Sequence, residues 1–225
     1  MARYISLYSG SSGNCSVVEE NGKFILIDMG KSARLTNKAL TELGLDIKNL
    51  QGILVSHEHT DHTAGLKVFL KNLRVPVYTG WATADYLTAR DMIPAHIEVN
   101  DIDFSGFNIG DFYVKGFETP HDSVGCMGFR IATEKGRKMS IATDLGFVTE
   151  DIFNSLRNVD LSVVESNYDV QMNLGRNLLG AHFCKLFHRK RSALKADWHI
   201  KTAVICNALK HRLGRGFFYF FISCT

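Results

Sequence analysis

The sequence lacks any apolar run of the roughly 18 to 20 residues that a membrane-spanning helix needs. It also lacks a signal-peptide pattern, because the glycines and serines of residues 9–14 interrupt the N-terminal segment before an apolar core forms. The five cysteines are an odd number without framework spacing, which predicts reduced thiols. These absences argue against a membrane protein or a disulfide-stabilised secreted protein, and we expect a cytoplasmic location.

Acidic residues are nearly missing from the last quarter of the chain. Residues 174–225 contain ten Lys and Arg but a single acid, Asp197, which gives a net charge of +9. Residues 1–173 contain 16 Lys and Arg against 22 Asp and Glu, which gives −6. This change of composition predicts a boundary near residue 172.

A cluster of metal-binding residue types follows a short apolar run, Gly52–Val55, that predicts a buried strand. Alternate side chains of an extended backbone point the same way, and a turn after the carboxylate brings in the last histidine. Imidazole and carboxylate suit zinc, manganese or iron, and a cation between them offsets their crowding. The pattern H-x-H-x-D-H therefore predicts a metal site formed by His57, His59, Asp61 and His62.

Strand and helix patterns alternate over the first 165 residues. Asn21-Gly22 is typical of a two-residue hairpin turn, and Ser32 and Gly44 predict the two ends of a first helix. Further helices are predicted at residues 63–73, 81–92 and 149–156. Strands are predicted at residues 4–7, 15–20, 23–28, 52–55, 76–79, 97–99, 103–107, 112–119, 126–133, 138–143 and 161–165. The order predicts an α/β fold of layered, mixed sheets with helices outside them.

Two further candidates, His121 and Asp144, each lie just beyond the end of a predicted strand. If these strands neighbour the strand before the H-x-H-x-D-H segment, the side chains meet at one edge. His121 then completes a three-histidine site with the first two histidines of the segment. Asp144 then bridges to a second cation held by Asp61 and His62.

These residues together resemble the metallo-β-lactamase fold superfamily. Further segments resemble its YycJ/WalJ-type branch: Ser9-Gly-Ser-Ser-Gly-Asn14, Leu26-Ile-Asp28-Met-Gly30, Thr119-Pro-His121-Asp122-Ser123 and Glu165-Ser-Asn167-Tyr-Asp169. The resemblance covers residues 4–172. It implies an αββα sandwich, a binuclear centre with two divalent ions (Zn²⁺ or Mn²⁺), and a DNA-directed phosphodiesterase of the 5′ exonuclease type.

The family pattern also implies roles for the matching residues. One cation is held by His57, His59 and His121, and the other by Asp61 and His62, with Asp144 bridging. The family has one more histidine in a His-Leu-Ser-type context, which this sequence lacks. No tail histidine is assigned as its replacement: His182, His188, His199 or His211.

Several residues near the site have further expected roles, and some of them have an alternative interpretation. We expect Asp61 and Asp144 to orient the attacking water, with Asp61 also moving its proton. Asp28 either supports a ligand histidine through its second nitrogen or is a turn carboxylate. A group of loop residues either lines the rim and binds a phosphate or forms a structural turn: Ser11, Ser12 and Asn14.

The sequence divides into a predicted hydrolase domain, residues 1–172, and an atypical basic tail, residues 173–225. The tail has three interpretations. It is a nucleic-acid-binding arm, or a basic amphipathic helix around Ala193–Leu213, or an out-of-frame translation that replaces the native end. The aromatic run Phe217–Ile222 is an aggregation liability and favours the last interpretation, in which the product is truncated and inactive. Rival functions are hydrolysis of a small ester, thioester or lactone, RNA processing, and non-catalytic binding.

Overall fold

A computed structural model of the chain describes residues 2–102, 104–146, 148–166, 201–206 and 219–223. These residues form two mixed β-sheets and five α-helices, which confirms the predicted α/β class. The helices are α1 (Ala33–Glu42), α2 (Thr60–Thr63), α3 (Leu66–Leu70), α4 (Trp81–Ala89) and α5 (Glu150–Leu156), with a short 3-10 turn at Ile47–Asn49.

The first sheet has six strands in sequence order. They are β1 (Arg3–Tyr8), β2 (Cys15–Glu20), β3 (Lys23–Ile27), β4 (Leu50–Leu54), β5 (Val77–Thr79) and β6 (Val99–Asp101). β1, β2 and β3 are antiparallel, whereas β3 to β6 are parallel. The parallel pairing brings the carboxyl ends of β3 and β4 to one edge, where Asp28 and Ser56 follow them.

The second sheet has seven strands in the order β13-β12-β11-β10-β9-β8-β7. They are β7 (Phe107–Ile109), β8 (Phe112–Glu118), β9 (Met127–Thr133), β10 (Lys138–Ala142), β11 (Leu161–Ser166), β12 (Lys201–Cys206) and β13 (Tyr219–Ser223). β10, β11 and β12 are parallel.

The described residues group into two compact units. The first comprises Met1–Gly116, Asp122–Met127 and Ile131–Arg137, and the second comprises Phe117–His121, Gly128–Arg130 and the described part of Lys138–Thr225. The core of the first unit includes Phe24, Leu26, Ile53, Val55 and Leu66. The core of the second includes Phe117, Ala142, Ile152, Leu156 and Val164.

Two predicted elements differ in the structure. The helix predicted over residues 63–73 is divided into α2 and α3 near Gly65, because the Gly65 N–H donates to the C=O of Met29 at 2.8 Å. The strand predicted over residues 103–107 starts later, as β7.

The tail is described only in part. β12 contradicts a helix over the whole of Ala193–Leu213, and its segment Thr-Ala-Val-Ile contains three β-branched residues that favour a strand. The four tail histidines lie outside the described residues, and the boundary at residue 172 stays a prediction. None of the helices in the described part of the chain combines the length and apolarity that a bilayer span needs.

Candidate metal centre

Four of the predicted ligands lie in the loop after β4 and in α2, within the first unit. His57 and His62 are fully buried, whereas the side chains of His59 and Asp61 are 41% and 30% exposed. The predicted turn begins earlier than expected, at Thr60, because the His62 N–H donates to the C=O of His59 at 2.9 Å. After this turn, Asp61 Oδ2 lies 3.6 Å from His62 Nε2.

The imidazole rings of this segment are packed against one another. The His57 Nε2 and His59 Nδ1 atoms are 3.1 Å apart, and the ring centroids of His57 and His62 are 4.1 Å apart. Two nitrogen ligands of a tetrahedral zinc ion, each bonded at about 2.0–2.1 Å, lie about 3.4 Å apart. The facing nitrogens of His57 and His59 therefore have a spacing that fits two ligands of one cation.

Asp28 and Ser56 contact the Nδ1 atoms of the His57 and His62 rings. Asp28 is 2% exposed, and its Oδ2 lies 2.8 Å from His62 Nδ1. Its Oδ1 accepts from the Ser56 N–H at 2.8 Å, and the Ser56 Oγ lies 3.0 Å from His57 Nδ1. A carboxylate at Nδ1 favours the Nδ1–H tautomer and leaves the lone pair of His62 on Nε2, which makes Nε2 the nitrogen suited to a metal. Asp28 therefore makes the histidine contact that one of its two interpretations requires, and the role of His62 as a ligand stays a prediction.

Asn14 reaches the same cluster from the loop before β2. Its Nδ2 lies 2.9 Å from His62 Nε2 and donates to Asp61 Oδ2 at 3.3 Å. Its Oδ1 accepts from the Gly10 N–H at 2.7 Å, which fixes the orientation of the amide. The sequence placed Asn14 at a rim or turn and did not predict these contacts, because 47 residues separate it from Asp61.

Glycine allows the loops around the cluster to approach closely. A Cβ on Gly30 would lie 1.6 Å from the C=O oxygen of Asp61. At the same place the Asn14 N–H donates to that oxygen at 2.6 Å, and the Met29 N–H donates to the C=O of His62 at 2.7 Å. The backbone of α2 is thus fixed by two neighbouring loops.

A buried thiol lies beside this network. Burial, and secondarily the charge of Asp28, raise the pKa of Cys15 far above its ordinary value. Cys15 is therefore a packed thiol and not a nucleophile.

His121 and Asp144 belong to the second unit, and each follows a strand as predicted: His121 comes after β8 and Asp144 after β10. Asp144 has a φ of 50°, a left-handed conformation that aspartate tolerates better than most residues. The Gly146 N–H donates to the C=O of Pro120 at 2.8 Å. This bond joins the segments that contain His121 and Asp144.

Residues 23–203 match the family model described as Beta-lactamase superfamily domain. The chain belongs to this superfamily. Its fold is that of a metallo-β-lactamase fold hydrolase, and the predicted similarity to the YycJ/WalJ-type branch is confirmed. This fold implies divalent metal ions, and the imidazole and carboxylate groups around His57 are suitable ligands for them.

Two curated relatives are similar over most of the chain. The chain is 33% identical over 178 residues to exodeoxyribonuclease YycJ of Bacillus anthracis, which covers 76% of this chain and 65% of the relative. It is 29% identical over 177 residues to exodeoxyribonuclease WalJ of Streptococcus pneumoniae, which covers 76% and 64%. The chain therefore spans just under two thirds of the length of these relatives.

A solved structure of a diphosphatase from the PhnP family superposes with a TM-score of 0.66 at 17% identity. The superposition covers 94% of this chain and 89% of that one. At this identity, the shared property is the fold.

Proposed function

We propose that this metallo-β-lactamase fold hydrolase is a DNA phosphodiesterase of the 5′ exonuclease type that uses two divalent cations, Zn²⁺ or Mn²⁺. The observation that best supports a metal-dependent reaction is the 3.1 Å spacing of the His57 and His59 nitrogens. The names of the two exodeoxyribonuclease relatives support DNA as the substrate.

We assign the ligands according to the family pattern. His57, His59 and His121 would hold one cation, Asp61 and His62 would hold the other, and Asp144 would serve both. The bond between Gly146 and Pro120 supports a common role for the segments of His121 and Asp144. Residues 1–172 form the hydrolase domain in this proposal.

When bound, the two cations supply Lewis acidity for the phosphoryl oxygens and lower the pKa of water. The carboxylates of Asp61 and Asp144 orient the attacking water. Asp61 is partly exposed and also receives the proton of that water. Asp28 keeps the Nε2 lone pair of His62 available for binding.

The loop that contains Asn14 is suited to contact a DNA phosphate. Lys31 Nζ donates to the C=O of Ser12 at 2.6 Å and to its Oγ at 2.9 Å, so an exposed ammonium lies on this loop. An ammonium group attracts phosphate oxygens. We place the 5′ phosphate of the substrate beside Lys31. The cytoplasmic location of the enzyme and its DNA stays a prediction.

The substrate class is tested by offering the purified chain three substrates with added Mn²⁺: 5′-phosphorylated duplex DNA, a chromogenic lactam and a thioester. We expect release of mononucleotides from the DNA and no comparable turnover of the others. Turnover of the lactam or thioester, with intact DNA, would show a small-molecule hydrolase instead.

Metal analysis tests the alternative of a decayed, non-catalytic site. We expect about two equivalents of metal per chain after loading and desalting. Fewer than one equivalent would favour a binding module or an inactive truncated product.

A further inference from the structure

Glu58 lies between the two histidines of the H-x-H segment and is 7% exposed. Its Oε1 accepts from the Val124 N–H at 3.0 Å and lies 4.0 Å from His59 Nε2. Its Oε2 is buried and has no hydrogen-bond partner among the described residues. The carboxylate is therefore buried, and its contacts are one backbone N–H donor and one imidazole.

Such an arrangement is costly for stability alone. A buried carboxylate loses its hydration, and a single N–H bond does not replace it. Within the described part of the chain, no lysine or arginine pairs with Glu58, and the ion-pair contact is with His59. The contact with His59 is therefore the feature that connects this carboxylate with the neighbouring site.

The two nitrogens of His59 face different partners. Nδ1 faces His57 Nε2, and Nε2 lies on the side of the Glu58 carboxylate. A negative charge near Nε2 favours the tautomer with its proton on Nε2, which leaves the lone pair on Nδ1. The lone pair of His59 then points toward the nitrogen of His57 with which it would share a cation.

We propose that Glu58 is a positioning residue of the metal site. It selects the Nε2–H tautomer of His59 and directs the Nδ1 lone pair to the cation. Through Val124 it also anchors the segment Asp122–Met127, which directly follows His121 in the sequence. This inference rests on the proposed function, because it assumes that His59 binds a metal through Nδ1.

Glu20 provides a matched control. It is 5% exposed, its Oε2 accepts from the Lys135 N–H at 3.1 Å, and its Oε1 is likewise buried without a partner among the described residues. It differs from Glu58 in having no contact with a site histidine. In both Glu58→Gln and Glu20→Gln, the new amide oxygen can accept from the same backbone N–H. Both substitutions remove the negative charge of the carboxylate.

The experiment measures Co²⁺ binding by competition with a chelator, together with the visible spectrum of the bound ion. We expect Glu58→Gln to weaken the tighter Co²⁺ site about 10- to 100-fold and to change its absorption bands. We expect Glu20→Gln to keep the wild-type affinity and spectrum. Thermal unfolding of the metal-free proteins should show similar losses for both variants.

Wild-type affinity and spectrum in Glu58→Gln would overturn the proposal and leave the proposed function standing. A wild-type chain that binds no Co²⁺ would overturn the proposed function. If Glu58→Gln does not fold, the ¹⁵N shifts of the His59 ring in the metal-free wild-type chain decide. The Nε2–H tautomer is the expected result, and the Nδ1–H tautomer would refute the assignment to Glu58.

Discussion

At the scale of single residues, the contact of Asp28 with His62 Nδ1 favours a lone pair on Nε2 of that ring. Its two oxygens accept from the Ser56 N–H and face His62 Nδ1. Asn at this position has one oxygen for these two donors, so either orientation of the amide sets an N–H against a buried N–H. Leaving such a donor unpaired costs about 1–3 kcal/mol.

We therefore predict that Asp28→Asn lowers Co²⁺ or Zn²⁺ affinity about 10- to 100-fold and lowers nuclease activity with it. Asp46→Asn is the control, because Asp46 accepts from the Lys48 N–H at the start of the exposed 3-10 turn and Asn serves equally well there. Chelator competition measures both variants. Unchanged affinity in Asp28→Asn would show that the tautomer of His62 is set by other groups.

The site residues also show what sequence can predict. The H-x-H-x-D-H segment is local, so its chemistry is visible in six adjacent positions. The contact between Glu58 and Val124 joins residues 66 positions apart, and that of Asn14 with Asp61 joins residues 47 apart. Such contacts depend on how the loops meet, which spacing alone does not reveal.

At the scale of elements, α2 keeps its position because Gly30 lets a neighbouring loop approach it. Gly30→Ala places a methyl group where the C=O of Asp61 lies. We predict a loss of about 3 kcal/mol or more in the free energy of unfolding, measured by urea titration of the metal-free protein.

Gly125→Ala is the control for this substitution, because a Cβ there meets Ala82 Cβ at an ordinary 3.4 Å. We expect it to change the free energy of unfolding by less than about 1 kcal/mol. Equal losses in the two variants would contradict the close approach at Gly30.

The ion pair between Arg3 on β1 and Glu19 on β2 predicts a pH dependence of the free energy of unfolding. Burial opposes ionisation of Glu19, but the Gly22 N–H and the Arg3 guanidinium outweigh it and hold the pKa of Glu19 below its ordinary value. A lowered pKa in the folded state stabilises the protein above the unfolded-state pKa of about 4.3. The stabilisation is lost as the pH falls through the folded-state pKa.

We predict that Glu19→Gln is less stable than wild type at pH 6 and that the difference shrinks as the pH falls below about 4. Urea unfolding from pH 3 to 7 measures it. A difference that is constant over this range would mean that Glu19 makes no charge-dependent contribution.

Elements with local signals were predicted well, and those with distant partners were not. α1 begins after Ser32, whose side chain accepts from the Leu35 N–H, and Gly44 follows its end with a φ of 72°. Asn21 and Gly22 have φ values of 56° and 82°, as the predicted hairpin turn requires. By contrast, the break between α2 and α3 depends on Met29, which is far from Gly65 in the sequence.

At the scale of the whole molecule, each of the two units places candidate site residues just beyond the carboxyl ends of strands. Parallel pairing of β3 with β4 brings Asp28 and Ser56 to one sheet edge. In the second unit, parallel pairing of β10 with β11 leaves Asp144 just beyond a strand end. The proposed reaction depends on side chains that follow strands, a placement typical of functional sites in α/β proteins.

We propose above all that the histidine and aspartate cluster binds the cations needed to cleave DNA. The most direct test of this proposal is mononucleotide release from 5′-phosphorylated duplex DNA with Mn²⁺, compared among wild type, His59→Ala and the control His96→Ala, whose ring contacts the C=O of Leu73 outside the cluster. We predict release by wild type and by His96→Ala, and at least a 100-fold loss in His59→Ala. Release by His59→Ala at the wild-type rate, or intact DNA after incubation with the metal-loaded wild-type chain, would contradict it.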